Sequence, residues 1–555
     1  METIRPQWIA KMYAGKTGRD HLGLGSVSSD QILPSLSPSI NVLTFHPRYH
    51  SFYVFLLDEY WRRDLGRTEK EWIKFFRPRE FIFSVGAHLC DQPEHSDMRH
   101  VVGGQKTEPL AAQALSEYPT QTHYIDSPLG GYGLYYRTVM AELGIIYPGG
   151  LGFKLPVDVP SPAGKEMADA FRREIKETEY YRKYFNEDTI SVPIAVIQEY
   201  IRKACLCQLQ KTETLDHQLV VDAFLHEGSK YAAEARRRTF QFLLDLADQT
   251  QDKALDENLF RQLVYFGETE DGAVYKPIEK VRSTHLKWRY YQAREYYAFA
   301  LNALWFFLCS WGIDQGGYLQ PIPIPNFWGY LDGAVDFRQF GSVFGLHQCD
   351  VSIDSSVRDL ENWIVSSIGG IRDNFDISCN IRSAFQEHKL YDWVMNSRYN
   401  PGPAAMVTGM LVLLALLDLR FGRPELWLAP EWEISRMGAD GRLSLDGFLH
   451  SLARRLNSGS VTVREILQWL YEDYIILQHQ LIATGKLPEN TFRFTREGNR
   501  LAFYNLTNSL EFMNSRFEAL ATTIHELGFC GSLLQPGHRL TTDGRKILEG
   551  GDLNG

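Results

Sequence analysis

The sequence predicts a mainly α, multi-domain protein in which β structure is confined to small hairpins. Three observations carry this. The 555 residues correspond to about three or four domains, enough chain to bury several cores. Apolar residues make up 44% and aromatics 13%, with 12 Trp, so the chain packs rather than stays disordered. Apolar side chains recur at three- and four-residue spacings through most segments, and alternate only in short runs.

Taken in order, residues 1–50 are punctuated by Gly23, Gly25, Pro34, Pro38 and Pro47, and Ser28-Ser29-Asp30 is placed to cap a short helix at Gln31-Ile32-Leu33. Tyr49, Phe52, Tyr53, Leu56, Leu57 and Tyr60 form one face of an amphipathic helix, and Glu69 to Phe83 continues the helical pattern. Gly86 to Pro109 reads as polar loop, and residues 172–260 as charged helices. His285 to Trp311 is the strongest helix, stopped by Gly312. Pro321-Ile322-Pro323-Ile324-Pro325 to Trp328 reads as an extended connector. Residues 351–420 are again helical, broken at Asn400-Pro401-Gly402-Pro403. Two helices follow between Asp446 and Leu487, with Ser460 as the cap of the second. Phe492-Arg493-Phe494-Thr495 and Leu501-Ala502-Phe503-Tyr504 flank Glu497-Gly498-Asn499 as a hairpin.

One pattern occurs twice. The first copy runs through Tyr132, Tyr136, Val139, Met140 and Leu143, stops at Gly144, continues as Ile145-Ile146-Tyr147 and a Gly-rich tip, and restarts at Ser161-Pro162. The second has Phe517, Leu520, Ile524 and Leu527, a stop at Gly528, a tip at Gly531 to Gly537, and a cap at Thr541 or Thr542. Helix, Gly stop, short strand, tip, return strand and capped helix is an order that resembles the winged-helix superfamily. The implied organisation is an N-terminal helical region with a polar loop at 1–117, a winged-helix-like module at 118–176 and a helical middle at 177–445. A C-terminal helical region follows at 446–549 with the hairpin and second module, then a tail at 550–555.

Winged helices bind DNA or partner proteins, so the resemblance implies binding rather than chemistry. A formal net charge of -10 excludes a blanket polyanion binder, and any DNA contact must be local. The candidate contacts are Arg137, Lys154, Lys165, Arg172 and Arg173 around the first copy, and Arg516, His525, Arg539, Arg545 and Lys546 around the second. Arg236-Arg237-Arg238 reads as solvated helix surface, and the aromatic run from Trp288 to Tyr297 as core.

Signals for chemistry are weaker. His88, Cys90, Asp91, His95, Asp97 and His100 are of metal-ligand type, but their spacing fits no zinc pattern. Cys205-Leu206-Cys207 has no second Cys/His pair nearby in sequence, and reads as a buried apolar helix face. Gly103-Gly104-Gln105-Lys106-Thr107 only partly matches a phosphate-binding loop. Asp350, Asp354, Asp359 and Glu361 suit a helix start without a metal. Neither a cofactor nor a metal is therefore expected.

Seven scattered Cys fit a reducing cytoplasm, and the N-terminus from Met1 to Pro6 has no signal pattern. Ala298 to Ile313 and Met406 to Leu419 fall short of the ~20 residues of a bilayer span. The reading is a cytoplasmic, non-enzymatic subunit, without a membrane partner, that holds double-stranded DNA and other protein subunits in a larger bacterial-type assembly. Its layout is similar to accessory subunits of bacterial defence systems. Two alternatives stand beside it: a purely protein-interaction subunit with a kleisin-like outline, and an enzyme or metal protein using the His88–His100 loop.

Overall fold

The computed structural model describes residues 20–95, 98–150, 152–186, 189–346, 348–368, 381–382, 385–397, 404–438, 441–487, 491–504 and 510–553. The mainly α class holds, with 62% helix against 5% strand. The proposed break at Asn400 to Pro403 lies outside the described residues. The chain forms two compact units that interleave in sequence: one comprises 1–32, 261–276 and 282–513, the other 33–260, 277–281 and 514–555. Both helix–hairpin–helix copies belong to the second.

The second unit opens with α1 (Arg48–Arg62) and α2 (Glu69–His88). α2 starts on a capping box in which the Thr68 hydroxyl accepts from the Glu71 amide and the Glu71 carboxylate accepts from the Thr68 amide. The helix runs to His88, five residues beyond the predicted Phe83, because its last turns are packed against other helices rather than exposed. α3 (Gly104–Ala111) is a further correction to the polar-loop reading, opened by Gly103 at φ +73°. β1 (Glu117–Pro119), α4 (Arg137–Glu142), β2 (Ile146–Tyr147), β3 (Val159–Pro160) and α5 (Pro162–Ile175) follow, then β4 (Ser191–Pro193), α6 (Ile194–Ala204), α7 (His217–His226) and α8 (Lys230–Gln249). β1 pairs with β4 and β2 with β3, both antiparallel.

The first unit is built on α9 (Arg282–Asp314), whose aromatic residues from Trp288 to Tyr297 are buried as predicted. This helix has the length and hydropathy of a bilayer span, and 83% of its most apolar window is buried inside the protein. After it, β5 (Ile322–Pro323) leads directly into α10 (Ile324–Ala334). The extended connector expected to Trp328 is thus only two residues of strand. Pro325 sits in the first turn of α10, where a missing N–H costs nothing. α11 (Val357–Ile368), α12 (Ala404–Phe421), α13 (Leu445–Asn457) and α14 (Val463–Trp469) follow. α14 is capped by Thr462 with Glu465, not by Ser460, because only Thr462 has a Glu three residues on to complete a capping box. β6 (Phe494–Glu497) and β7 (Arg500–Phe503) form the predicted hairpin, and β5 adds a third strand in the order β5-β7-β6.

The chain then re-enters the second unit as α15 (Phe517–Glu526) and α16 (Thr542–Gly550). The two copies share three framing hydrogen bonds, although the second closes its hairpin by the single Cys530–Leu540 bridge where the first has β2 and β3. The Ile145 amide donates to the Met140 carbonyl at 2.9 Å and the Phe529 amide to Ile524 at 3.0 Å. The Ser161 amide donates to the Ile145 carbonyl at 2.9 Å and the Thr541 amide to Phe529 at 3.0 Å. The Ser161 and Thr541 hydroxyls accept from the Gly164 and Gly544 amides at 3.1 and 3.0 Å. Gly164 and Gly544 also share a constraint: a Cβ on either would collide with the carbonyl of Ile145 or Phe529. Each copy packs on a long upstream helix, α5 on α1 and α16 on α8.

Candidate metal centre

The second unit brings together two sequence features that stand apart in the chain. α2 and α6 approach closely because Gly86 has no side chain; even a Cβ there would lie 3.1 Å from Ile197 and Ile201. The ends of these helices therefore converge. Cys90 follows the end of α2, and a single helical turn over Pro93–His95 carries His95 back toward it. α6 ends at Ala204 because Cys205, at φ -55 and ψ 149, turns the chain out of the helix. A short tight helix over Leu206–Gln210 then presents Cys207 on the same side. The Cys205-Leu206-Cys207 stretch is not the apolar helix face expected from sequence; it is a helix break.

The four ligand atoms of Cys90, His95, Cys205 and Cys207 all lie within 4.8 Å of one another. Cys90 Sγ is 3.8 Å from Cys207 Sγ, and His95 Nδ1 is 3.1 Å from Cys205 Sγ. Zn–S bonds of about 2.3 Å at tetrahedral angles place two sulfurs about 3.8 Å apart. Three thiols and an imidazole around a space for one ion are a soft, tetrahedral donor set of the kind that takes Zn²⁺. Cys205 and Cys207 are buried, while Cys90 and His95 are partly exposed.

The surroundings hold the donors in place. The Arg48 guanidinium, fully buried on α1, donates to the carbonyl oxygens of Cys205 at 2.5 Å and Lys203 at 3.0 Å. Asp216 balances its charge at 3.3 Å. Across the outer face, Arg202 pairs with Asp91 at 2.6 Å and Lys211 with Glu94 at 3.4 Å, clasping the segment that carries His95. Gln208 Nε2 lies 3.7 Å from Cys207 Sγ. Hydrogen bonds with Cys205 and Cys207 push the Cys90 thiol far below its ordinary range, against the effect of burial. Burial, together with the Cys207 and Cys90 sulfurs, pushes Cys205 well up. Cys207 is pushed up to about 12; its hydrogen bond with Cys205 opposes this, but that with Cys90 and burial outweigh it. Three sulfurs this close ionise together only around a cation.

The other ligand-type residues of the loop are placed elsewhere. Asp91 is spent on Arg202, and His100 pairs with Glu518 at 3.0 Å. His88 Nε2 is buried without a hydrogen-bond partner among the described residues. Asp97 lies outside the described residues. The missed signal was a Cys-x4-His half-site and a Cys-x-Cys half-site more than a hundred residues apart. Neither is specific alone.

The ten predicted contact residues separate by environment. Lys154, Lys165, Arg173, Arg539, Arg545 and Lys546 are exposed. Lys546 lies 3.0 Å from Asp543 and Arg545 3.6 Å from Asp248. Arg137 is tied to Asp158 at 2.7 Å, closing the base of the first hairpin. Arg172 binds Asp58, Glu59 and Asp169, which hold its guanidinium charged despite burial. Arg516 is 8% exposed and donates to the carbonyls of Ile40 at 2.6 Å and Ser37 at 3.3 Å. His525 Nδ1 donates to the Cys530 carbonyl oxygen at 3.0 Å. Comparison with known proteins adds no template. No protein-family model, curated protein or solved structure matches the chain.

Proposed function

We propose that this protein is a zinc-stapled, non-catalytic binding subunit. The observation that carries this reading is the convergence of Cys90, His95, Cys205 and Cys207 within 4.8 Å. Four protein ligands fill a tetrahedral ion, leaving no open position for water or substrate, which is the pattern of structural rather than catalytic zinc. The residues fit the ion, and its role would be to fasten the segment after α2 to the end of α6. Free thiols of this kind persist in a reducing compartment such as the cytoplasm.

Metal analysis of the purified full-length chain tests the reading. One zinc per chain is expected, and it should be lost in Cys205→Ser while the far-UV spectrum stays helical. A chain free of zinc after expression in zinc-supplemented medium would overturn it, as would zinc retained in a Cys90→Ser/Cys205→Ser double variant.

A reading of what the subunit binds rests on the six exposed basic side chains around the two helix–hairpin–helix copies. Lys154, Lys165 and Arg173 in one, and Arg539, Arg545 and Lys546 in the other, would contact phosphates of double-stranded DNA without reading bases. Fluorescence anisotropy with a random-sequence duplex at low and moderate salt tests this. Salt-sensitive binding supports it; no binding at low salt makes these surfaces protein-docking sites.

A further inference from the structure

A cavity of about 270 Å³ lies in the second unit beside the segment that carries His95. Its wall includes Phe45, His46, His100, Glu518, Thr522 and Glu526. His46 and Glu526 are both buried, at 2% and 1% exposure. His46 Nδ1 lies 2.7 Å from Glu526 Oε1, and its Nε2 lies 2.5 Å from the carbonyl oxygen of Arg99. The Arg99 carbonyl can only accept, so Nε2 donates to it, and Nδ1 shares a proton with the Glu526 carboxyl. That accounts for one oxygen of Glu526. The other, Oε2, is buried and has no hydrogen-bond partner among the described residues. A carboxyl oxygen removed from water demands a donor, and a charged donor satisfies it best.

The rest of the wall suits an organic ligand. Phe45 and His100 stack with ring centroids 4.0 Å apart, giving a flat partly apolar surface. Glu518, 3.0 Å from His100 Nε2, adds a second carboxylate. The volume is below the usual range for drug-sized ligands, which suits a small one.

We propose that this cavity is a binding site for a small organic cation, a primary amine or guanidinium, that donates to Glu526 Oε2 and Glu518 and lays its carbon chain on the Phe45–His100 stack. The cavity stands on hydrogen-bond geometry and does not depend on the metal reading.

Agmatine, which carries both head groups on a short chain, is the probe, with glutarate as an anion of similar length. Calorimetric titration of the full chain should give saturable agmatine binding tighter than about 1 mM, with none for glutarate. Glu526→Gln should weaken it by at least about tenfold. Because that change also disturbs the His46 pair, Thr522→Trp provides a second variant: it fills the cavity from its rim and should abolish binding with thermal stability retained. Absence of agmatine binding to the unmodified chain would overturn the proposal. So would equal binding to the chain and to folded Thr522→Trp, or binding of glutarate as tight as that of agmatine.

Discussion

Arg48 on α1 donates its Nη1 hydrogen to the carbonyl oxygen of Cys205 at 2.5 Å, with both residues fully buried. A guanidinium from one helix thereby fixes the turn in which two sulfurs of the candidate metal centre sit. Arg48→Met should leave Asp216 buried without its partner and destabilise the chain by about 3–5 kcal/mol. Zinc affinity should fall about 10–100-fold, the usual consequence of losing a residue that orients a ligand. Urea unfolding and chelator competition measure the two effects. Unchanged zinc affinity in a folded Arg48→Met chain would remove Arg48 from the centre.

Chelation should loosen one segment. A bound ion would hold the His95 segment together with the exposed Arg202–Asp91 pair and the partly exposed Lys211–Glu94 pair, each of which contributes little. Limited proteolysis after EDTA treatment should cut first between residues 89 and 103. Cleavage elsewhere, with this segment intact, would show that the staple is not what holds it.

The matched glycines make the two copies testable. Gly164→Ala and Gly544→Ala each place a Cβ against a carbonyl oxygen and should destabilise by about 1–3 kcal/mol. Gly150, at the first tip, has open space around it but a φ of +96°, so Gly150→Ala should cost about 1 kcal/mol. Thermal melts compare the three. Equal effects at all positions would mean that the collisions relax freely.

Acid should destabilise the fold through its buried histidines, offset in part by Glu361 and Asp418, whose carboxyls burial pushes up into the same range. Burial holds His21 and His285 at about 3, and His50 and His479 at about 4, against 6.5 in the unfolded chain. Their folded values are depressed, so stability is full above about 6.5 and falls as the pH drops toward 4, where only the unfolded chain takes up these protons. His46 works in the opposite sense: burial lowers it, but Glu526 and the Arg99 carbonyl raise it overall, so its contribution is lost at higher pH. Urea midpoints from pH 8 to 4 should therefore decline on the acid side. His50→Gln should flatten the slope by about one proton; an unchanged slope would sink the assignment.

DNA contact, where it occurs, should depend on the exposed basic groups alone. Arg545→Glu/Lys546→Glu should weaken binding equally across sequences and lower the salt slope by about two. Arg172→Glu should instead destabilise the chain, since that side chain faces Asp58 and Glu59 from α1. Retained salt dependence in the first variant would move the contact elsewhere.

The sequence by itself determined the helical class, the long aromatic helix, the hairpin at 494–503 and the repeated helix–hairpin–helix pattern. Each is written in local terms: apolar spacing, a glycine stop, a capping Ser or Thr. Where local rules competed, neighbouring residues misled. Ile324-Pro325 reads as extended, yet Pro325 is tolerated in the first turn of a helix. Ser460 reads as a cap, yet Thr462 has the Glu that completes one. The tertiary structure alone decided which charges are available and which thiols meet. Arg172 and Arg516 look like Lys165 and Arg545 in sequence; only packing reveals that the first two are already committed inside. Cys90 with His95 and Cys205 with Cys207 are weak half-sites because ligand geometry is a relation in space. Nothing local records that Gly86 lets α2 approach α6, or that Arg48 pins the turn where the two halves converge.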